Sequence, residues 1–103
     1  MSDRRDQLEK LLEADPEDAF VTYALAMEHL KQGEPSQAIR WLDRTLELDP
    51  TSHYAHFQKA KAFAETGKMD DAIAAADAGV VSAGAAGDEK ALGELQELRA
   101  SLA

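Results

Sequence analysis

Apolar residues recur at three- and four-residue intervals along almost the whole chain, and proline, glycine and aspartate interrupt them at regular places. That spacing predicts six helices. Leu8, Leu11 and Leu12 mark the first, from about Asp3 to Ala14. Asp15-Pro16 ends it, because the residue before a proline is pushed out of the α region. Asp18 is placed to cap a second helix, which runs to about Gln32 and stops at Gly33. Pro35 suits the first turn of a third, Ser36 to Leu48, where a missing amide costs nothing. Asp49-Pro50 repeats the earlier stop, and Thr51 or Ser52 starts a fourth helix reaching about Thr66. The fifth runs from Met69 to near Ala83, with Gly84 and Gly87 in the turn that follows. Asp88 opens the last, on which Leu92, Leu95, Leu98 and Leu102 form one stripe.

Two of these helical pairs repeat each other at a distance of 34 positions. Pro16, Gly33, Ala38 and Ile39 are answered by Pro50, Gly67, Ala72 and Ile73. Aligning residues 19–52 on 53–86 adds Ala26 with Ala60 and Asp43 with Asp77. The alanines fall where helices must approach closely and the glycines where a helix must stop. Phe20 is answered by Tyr54 and Tyr23 by Phe57, so ring size is kept where identity is not. A period of this length belongs to stacked helical hairpins. The third and fifth helices differ in texture: Trp41, Leu42, Leu46 and Leu48 give the third bulk, whereas Ala72, Ala74, Ala75, Ala76, Ala78 and Gly79 make the fifth slim. Slim helices bury little apolar area per residue, so the fifth is expected to be the less stable.

The second helix is apolar on two sides. Leu25 and Ala26, with Thr22 and His29, form one face; Phe20, Tyr23, Met27 and Leu30 form another, turned by about 100° at 3.6 residues per turn. Such a helix is either deeply buried or offers one side to a partner.

Composition narrows the function. The 103 residues carry a net charge of −9, are 45% hydrophobic and 30% charged, and contain no cysteine. An acidic surface without a basic patch disfavours nucleic acid, and the same sign disfavours anionic membranes. Without cysteine there is no disulfide framework, thiolate metal site or cysteine nucleophile. The opening residues hold no apolar signal core, and the run from Ala72 to Gly87 is too short and too weakly hydrophobic to span a bilayer, so a cytoplasmic location is expected. Serine, histidine and aspartate are present, but no glycine-framed nucleophile or phosphate loop accompanies them, and the expectation is that the chain is not an enzyme. Glu17-Asp18, Asp70-Asp71 and Asp88-Glu89 stand at helix starts, where the helix dipole explains them. His53 and His56, three apart, lack a third ligand at a supporting spacing, so no metal and no cofactor are expected.

With these motifs the chain resembles the tetratricopeptide repeat family. Thr22, Leu25, Ala26 and His29 stand in the opening pattern, Ala38 and Leu42 in the second, and Pro50 at the close. Lys31-Gln32-Gly33-Glu34 and Leu46-Glu47-Leu48-Asp49-Pro50 carry the likeness most strongly. The second repeat, opened by His56, Lys59, Ala60 and Phe63, is looser, with Gly84 in place of the proline. Lys59 stands where the family places a buried leucine, so it either snorkels or the second hairpin packs differently. The resemblance implies an all-α, right-handed stack of antiparallel helical hairpins occupying residues 1–103 as one domain. Its parts would be a partial repeat helix at 3–15, repeats at 19–52 and 53–86, and a capping helix at 88–102.

The resemblance also implies a function. The second apolar stripe of such repeats lines a concave groove where peptides or partner helices dock, here Phe20, Tyr23, Met27, Tyr54, Phe57 and Lys61. Where some members hold a partner's carboxylates with lysines and asparagines, this chain has Tyr23, Met27 and Gln58, so a hydrophobic or aromatic-anchored protein segment fits better. Two alternatives stand beside it. The ring stripe could be core, its members touching one another, or a second copy could fill the groove or the N-terminal half repeat in a homodimer, since Leu8, Leu11 and Leu12 lack the partner helix of a whole repeat.

Overall fold

Six helices follow one another in the computed structural model, which describes residues 3–102: α1 Asp3–Ala14, α2 Ala19–Lys31, α3 Pro35–Leu48, α4 His53–Glu65, α5 Met69–Ala86 and α6 Glu89–Leu102. Among the described residues there is no strand, and no helix is long and apolar enough to cross a membrane.

Local chemistry sets the boundaries. Asp18 caps α2, its Oδ1 accepting the amides of Phe20 at 3.0 Å and Val21 at 3.3 Å, which satisfies two of the helix's unpaired donors. Asp88 does the same for α6 through the Ala91 amide at 3.1 Å. Ser52 precedes α4 but makes no side-chain cap bond. At the end of α2, Gly33 takes φ 74°, so that the Glu34 amide reaches back to the His29 carbonyl at 2.8 Å and the Gly33 amide to Leu30 at 3.1 Å. Gly67, with φ 77°, repeats the arrangement: the Lys68 amide meets the Phe63 carbonyl at 2.9 Å and the Gly67 amide Ala64 at 3.1 Å. Only glycine holds this left-handed conformation without Cβ strain.

One boundary departs from expectation. α5 does not stop near Ala83; it passes through Gly84 to Ala86 and is 18 residues long against 14 for α3. Gly84 stays helical, and the left-handed stop is made by Gly87 at φ 71°, with the Asp88 amide bonded to the Ala83 carbonyl at 3.0 Å. A glycine ends a helix only where the following amide can turn back onto it, and flanking alanines carry the helix past Gly84 at a cost of about 1 kcal/mol.

Successive helices pack as antiparallel neighbours, α4 also meets α6, and α1 leans on α2. The core runs along the stack as Leu8, Val21 and Leu25, then Ala26, Leu42 and Ala55, then Ala60, Ala75 and Ala76, then Ala83, Ala91 and Leu95. Leu25, Leu42 and Leu95 are its largest fully buried apolar side chains, each contributing about 1.5–3 kcal/mol by leaving water. The face of α2 that carries Thr22, Leu25, Ala26 and His29 is buried as expected. It meets α3 partly through a buried hydroxyl pair, Thr22 and Thr45 at 2.8 Å.

Lys59 aligns with Leu25 one repeat earlier, and it does snorkel. Its Nζ lies 2.7 Å from Asp43 Oδ1 with the side chain 20% exposed, and 6.0 Å from the centre of the Phe63 ring. The stem fills the leucine's place while the ammonium reaches a carboxylate at the surface.

Candidate functional site

α2 carries Phe20, Tyr23, Met27 and Leu30 along one stripe. Phe20 is 82% exposed, and the other three are half-buried. On α4, Tyr54 and Phe57 are half-buried and Lys61 is exposed. The Tyr54 and Phe57 rings meet edge-on with centroids 6.4 Å apart, and Lys61 Nζ stands 5.7 Å from the centre of the Phe57 ring. All six sequence-predicted residues are therefore at least partly accessible, but they do not line one cavity. Phe20, Tyr23 and Tyr54 line a cavity of about 330 Å³ between α2 and α4. Met27 and Lys61 line a second of about 400 Å³ with Gln58 and Leu30. Phe57 and Lys61 line a third of about 390 Å³ with Glu94, Glu97 and Leu98 of α6.

The ring stripe is used unevenly by the fold. Tyr54 and Phe57 pack against Ala83, Ala91 and Leu95, and the Tyr54 hydroxyl donates to Glu94 Oε1 at 3.0 Å. By accepting that hydrogen bond, Glu94 holds the Tyr54 phenol above its ordinary pKa, with burial acting in the same direction. Burial raises Tyr23 as well, against a weaker opposing hydrogen bond with Gln58. The core alternative thus holds in part for α4, where α6 covers the rings, whereas Phe20 on α2 stays almost fully in solvent.

The carboxylates Asp49, Glu94 and Glu97 line these cavities and were missed by sequence reasoning. Asp49 reads only as a helix stop before proline, and Glu94 and Glu97 read as the solvated side of a leucine-striped helix. Nothing local in the sequence says that α6 folds back beside α4.

Two of the three histidines, His29 and His53, serve as braces. His29 is buried with Nδ1 2.8 Å from Glu34 Oε1, an oxygen that also accepts from Arg5 at 3.1 Å, so α1 is tied to the α2–α3 turn. The His29 hydrogen bond first, and Arg5 behind it, hold the Glu34 carboxyl below its usual range. His53 Nε2 lies 3.0 Å from Asp88 Oδ2, and the Ala91 amide with this contact depresses the Asp88 carboxyl. Burial pushes His56 down, with Lys59 and His53 adding to it. No cluster of three or more histidine and carboxylate side chains among the described residues is placed to hold a metal.

The architecture is that of an all-α stack of repeated helical hairpins with an aromatic-lined face. The tetratricopeptide repeat family model matches residues 23–89, and the chain belongs to that family. It is similar to the tetratricopeptide repeat domain protein of Salinibacter ruber solved by NMR, with 35% identity and a TM-score of 0.79 over 85% of this chain and 89% of that one. PcrH, crystallised with the chaperone binding region of PopD, shares the fold at 18% identity and a TM-score of 0.91, over 97% and 76% of the two chains. The TPR2B domain of yeast Sti1, solved in complex with pHsp70, does so at 20% and 0.89, over 95% and 78%. No curated protein matches the chain in sequence.

Proposed function

We propose that this chain is a protein-interaction module, and not an enzyme, whose concave face of Phe20, Tyr23, Met27, Tyr54, Phe57 and Lys61 seats a peptide or helix of a partner protein. The observation that carries this is Phe20, a large ring left 82% exposed at the mouth of a cavity whose walls include Tyr23 and Tyr54. An exposed ring beside an apolar cavity is the arrangement that gives a docking surface its anchor. Support also comes from similar folds solved with bound segments, PcrH with its PopD region and the Sti1 domain with pHsp70. The test compares partners captured by the wild-type chain, by Phe20→Ala/Tyr23→Ala and by a surface control, Arg40→Ala/Arg44→Ala on α3. Partners lost only from the first variant, with its circular dichroism unchanged, support the groove; equal capture by all three removes it.

A homodimer remains the second reading, on a narrower basis than the sequence suggests. Leu8 is buried against Val21 and Leu25 with Leu12 packed beside them, so of the three α1 leucines only Leu11, 56% exposed, is left for another copy. Light scattering that finds a monomer at high protein concentration disposes of it.

A further inference from the structure

We propose that the cavity between α2 and α4 receives an arginine side chain of the partner segment, its stem lying across Phe20, Tyr23 and Tyr54 and its guanidinium on the Asp49 carboxylate. This rests on the groove reading above and names the chemistry of its occupant. Phe20, Tyr23, Tyr54 and Asp49 line the cavity, and among the described residues no lysine or arginine does.

Asp49 is not a member of the fold's ion pairs, and like Asp15 and Asp18 it holds a nearby backbone amide through Oδ1. Glu34 meets His29 and Arg5, Asp88 meets His53, Asp43 meets Lys59 and Asp77 meets Arg99. Asp49 instead bonds within its own loop, its Oδ1 accepting the Thr51 amide at 3.1 Å and the Thr51 hydroxyl at 2.6 Å. Both bonds use Oδ1, which holds the carboxylate in place, and among the described residues no donor is bonded to Oδ2. A half-buried anion beside apolar walls is costly to cover with a neutral group, because it loses water without gaining a partner. A partner's carboxylate would meet repulsion here and from a net charge of −9.

A guanidinium satisfies both features of the cavity. It stacks on ring faces, is more weakly hydrated than an ammonium, and presents a planar fork of donors to a carboxylate. Glu94 and Glu97 line a separate cavity on the α6 side together with Lys61, so the acidic character of the proposed site rests on Asp49. The overall negative field speeds the approach of a basic segment. This chemistry is opposite to that of a groove that captures carboxylates with lysines.

Two acetylated, amidated peptides test it, Ala-Leu-Arg-Leu-Ala and the same peptide with citrulline, the neutral isostere, in place of arginine. Amide shifts in two-dimensional NMR titrations report both location and affinity. The arginine peptide is expected to move Tyr23, Asp49 and Tyr54 and to bind about tenfold more tightly than the citrulline peptide. Asp49→Asn, which keeps Oδ1 as an acceptor for Thr51, is expected to abolish that preference. Added salt is expected to reduce it. Equal affinities, a preference that survives Asp49→Asn, or shifts confined to other residues each overturn the arginine site. Equal binding at these same amides does so while leaving the groove itself standing, and the groove fails separately if Phe20→Ala/Tyr23→Ala keeps every partner.

Discussion

Replacing Gly79 and Gly84, two glycines on the same helix, by alanine is expected to move stability in opposite directions. Neither has a positive φ, so in both places alanine gains about 0.5–1 kcal/mol of helix propensity. At Gly84 a Cβ meets nothing within 4 Å, and the gain stands alone. At Gly79 the Cβ would lie 2.6 Å from Leu95 Cδ2, 3.0 Å from His56 Cβ and 3.2 Å from Leu95 Cδ1, well inside the roughly 3.5–4.0 Å at which carbon atoms rest. A methyl at the tip of a side chain could swing away at an open site, but Leu95 is fully buried beside Ala83 and Ala91, and the His56 Cβ is fixed to its backbone. Overpacking of this kind costs about 1–3 kcal/mol. Set against the propensity gain, Gly79→Ala loses about 1 kcal/mol, and the two variants differ by about 2 kcal/mol. For a chain of this size that separates their melting temperatures by about 10 °C, measurable by far-UV circular dichroism and by Trp41 fluorescence. If Gly79→Ala melts as high as Gly84→Ala, the close approach of α5 to α4 and α6 is wrong.

Lys59→Met is expected to be neutral or stabilising by up to about 1 kcal/mol, because it keeps the stem's volume and removes a part-buried charge. Asp43→Ala, which leaves the Lys59 ammonium without its partner, should lose about 0.5–1 kcal/mol in urea titration. Thr22→Val should cost about 1–2 kcal/mol by the same measurement, since Thr45 then loses one of its two hydroxyl contacts in a buried site. The pH dependence has a defined sign. His56 has a depressed folded pKa, so the unfolded chain binds its proton first; stability falls as pH drops below about 6.5, and His56→Gln should flatten that part of the curve. Glu34 and Asp88 are also depressed, so their contribution is complete above the ordinary carboxylate range and is lost as pH falls through their folded values. Glu34→Gln should therefore reduce stability at neutral pH and soften the acid transition.

Much of the scaffold is legible without the structure because its signals are local. Proline before a turn, glycine after a helix and leucines at helical spacing act within a few residues, so the helix count and most boundaries follow from the chain alone. Gly84 misleads for the same reason: glycine tolerates a stop but does not impose one, and the stop is made three residues later, where Gly87 can adopt a left-handed turn and Asp88 can bond back to Ala83. The site was legible only as a stripe. That Tyr54 is bonded to Glu94 while Phe20 lies open depends on where α6 lands, and that position results from the packing of Ala83, Ala91 and Leu95, far apart in sequence from the rings they support.

By itself, then, the sequence determined an all-α repeat of 34-residue hairpins and the aromatic stripe on α2, because periodicity and capping chemistry are written in neighbouring residues. Tertiary structure alone decided which rings are covered, where Lys59 finds Asp43, why Gly79 has no room for a methyl group, and that Asp49 stands at an aromatic cavity without a cation. These are relations between helices, and they exist only once helices distant in sequence have packed against one another.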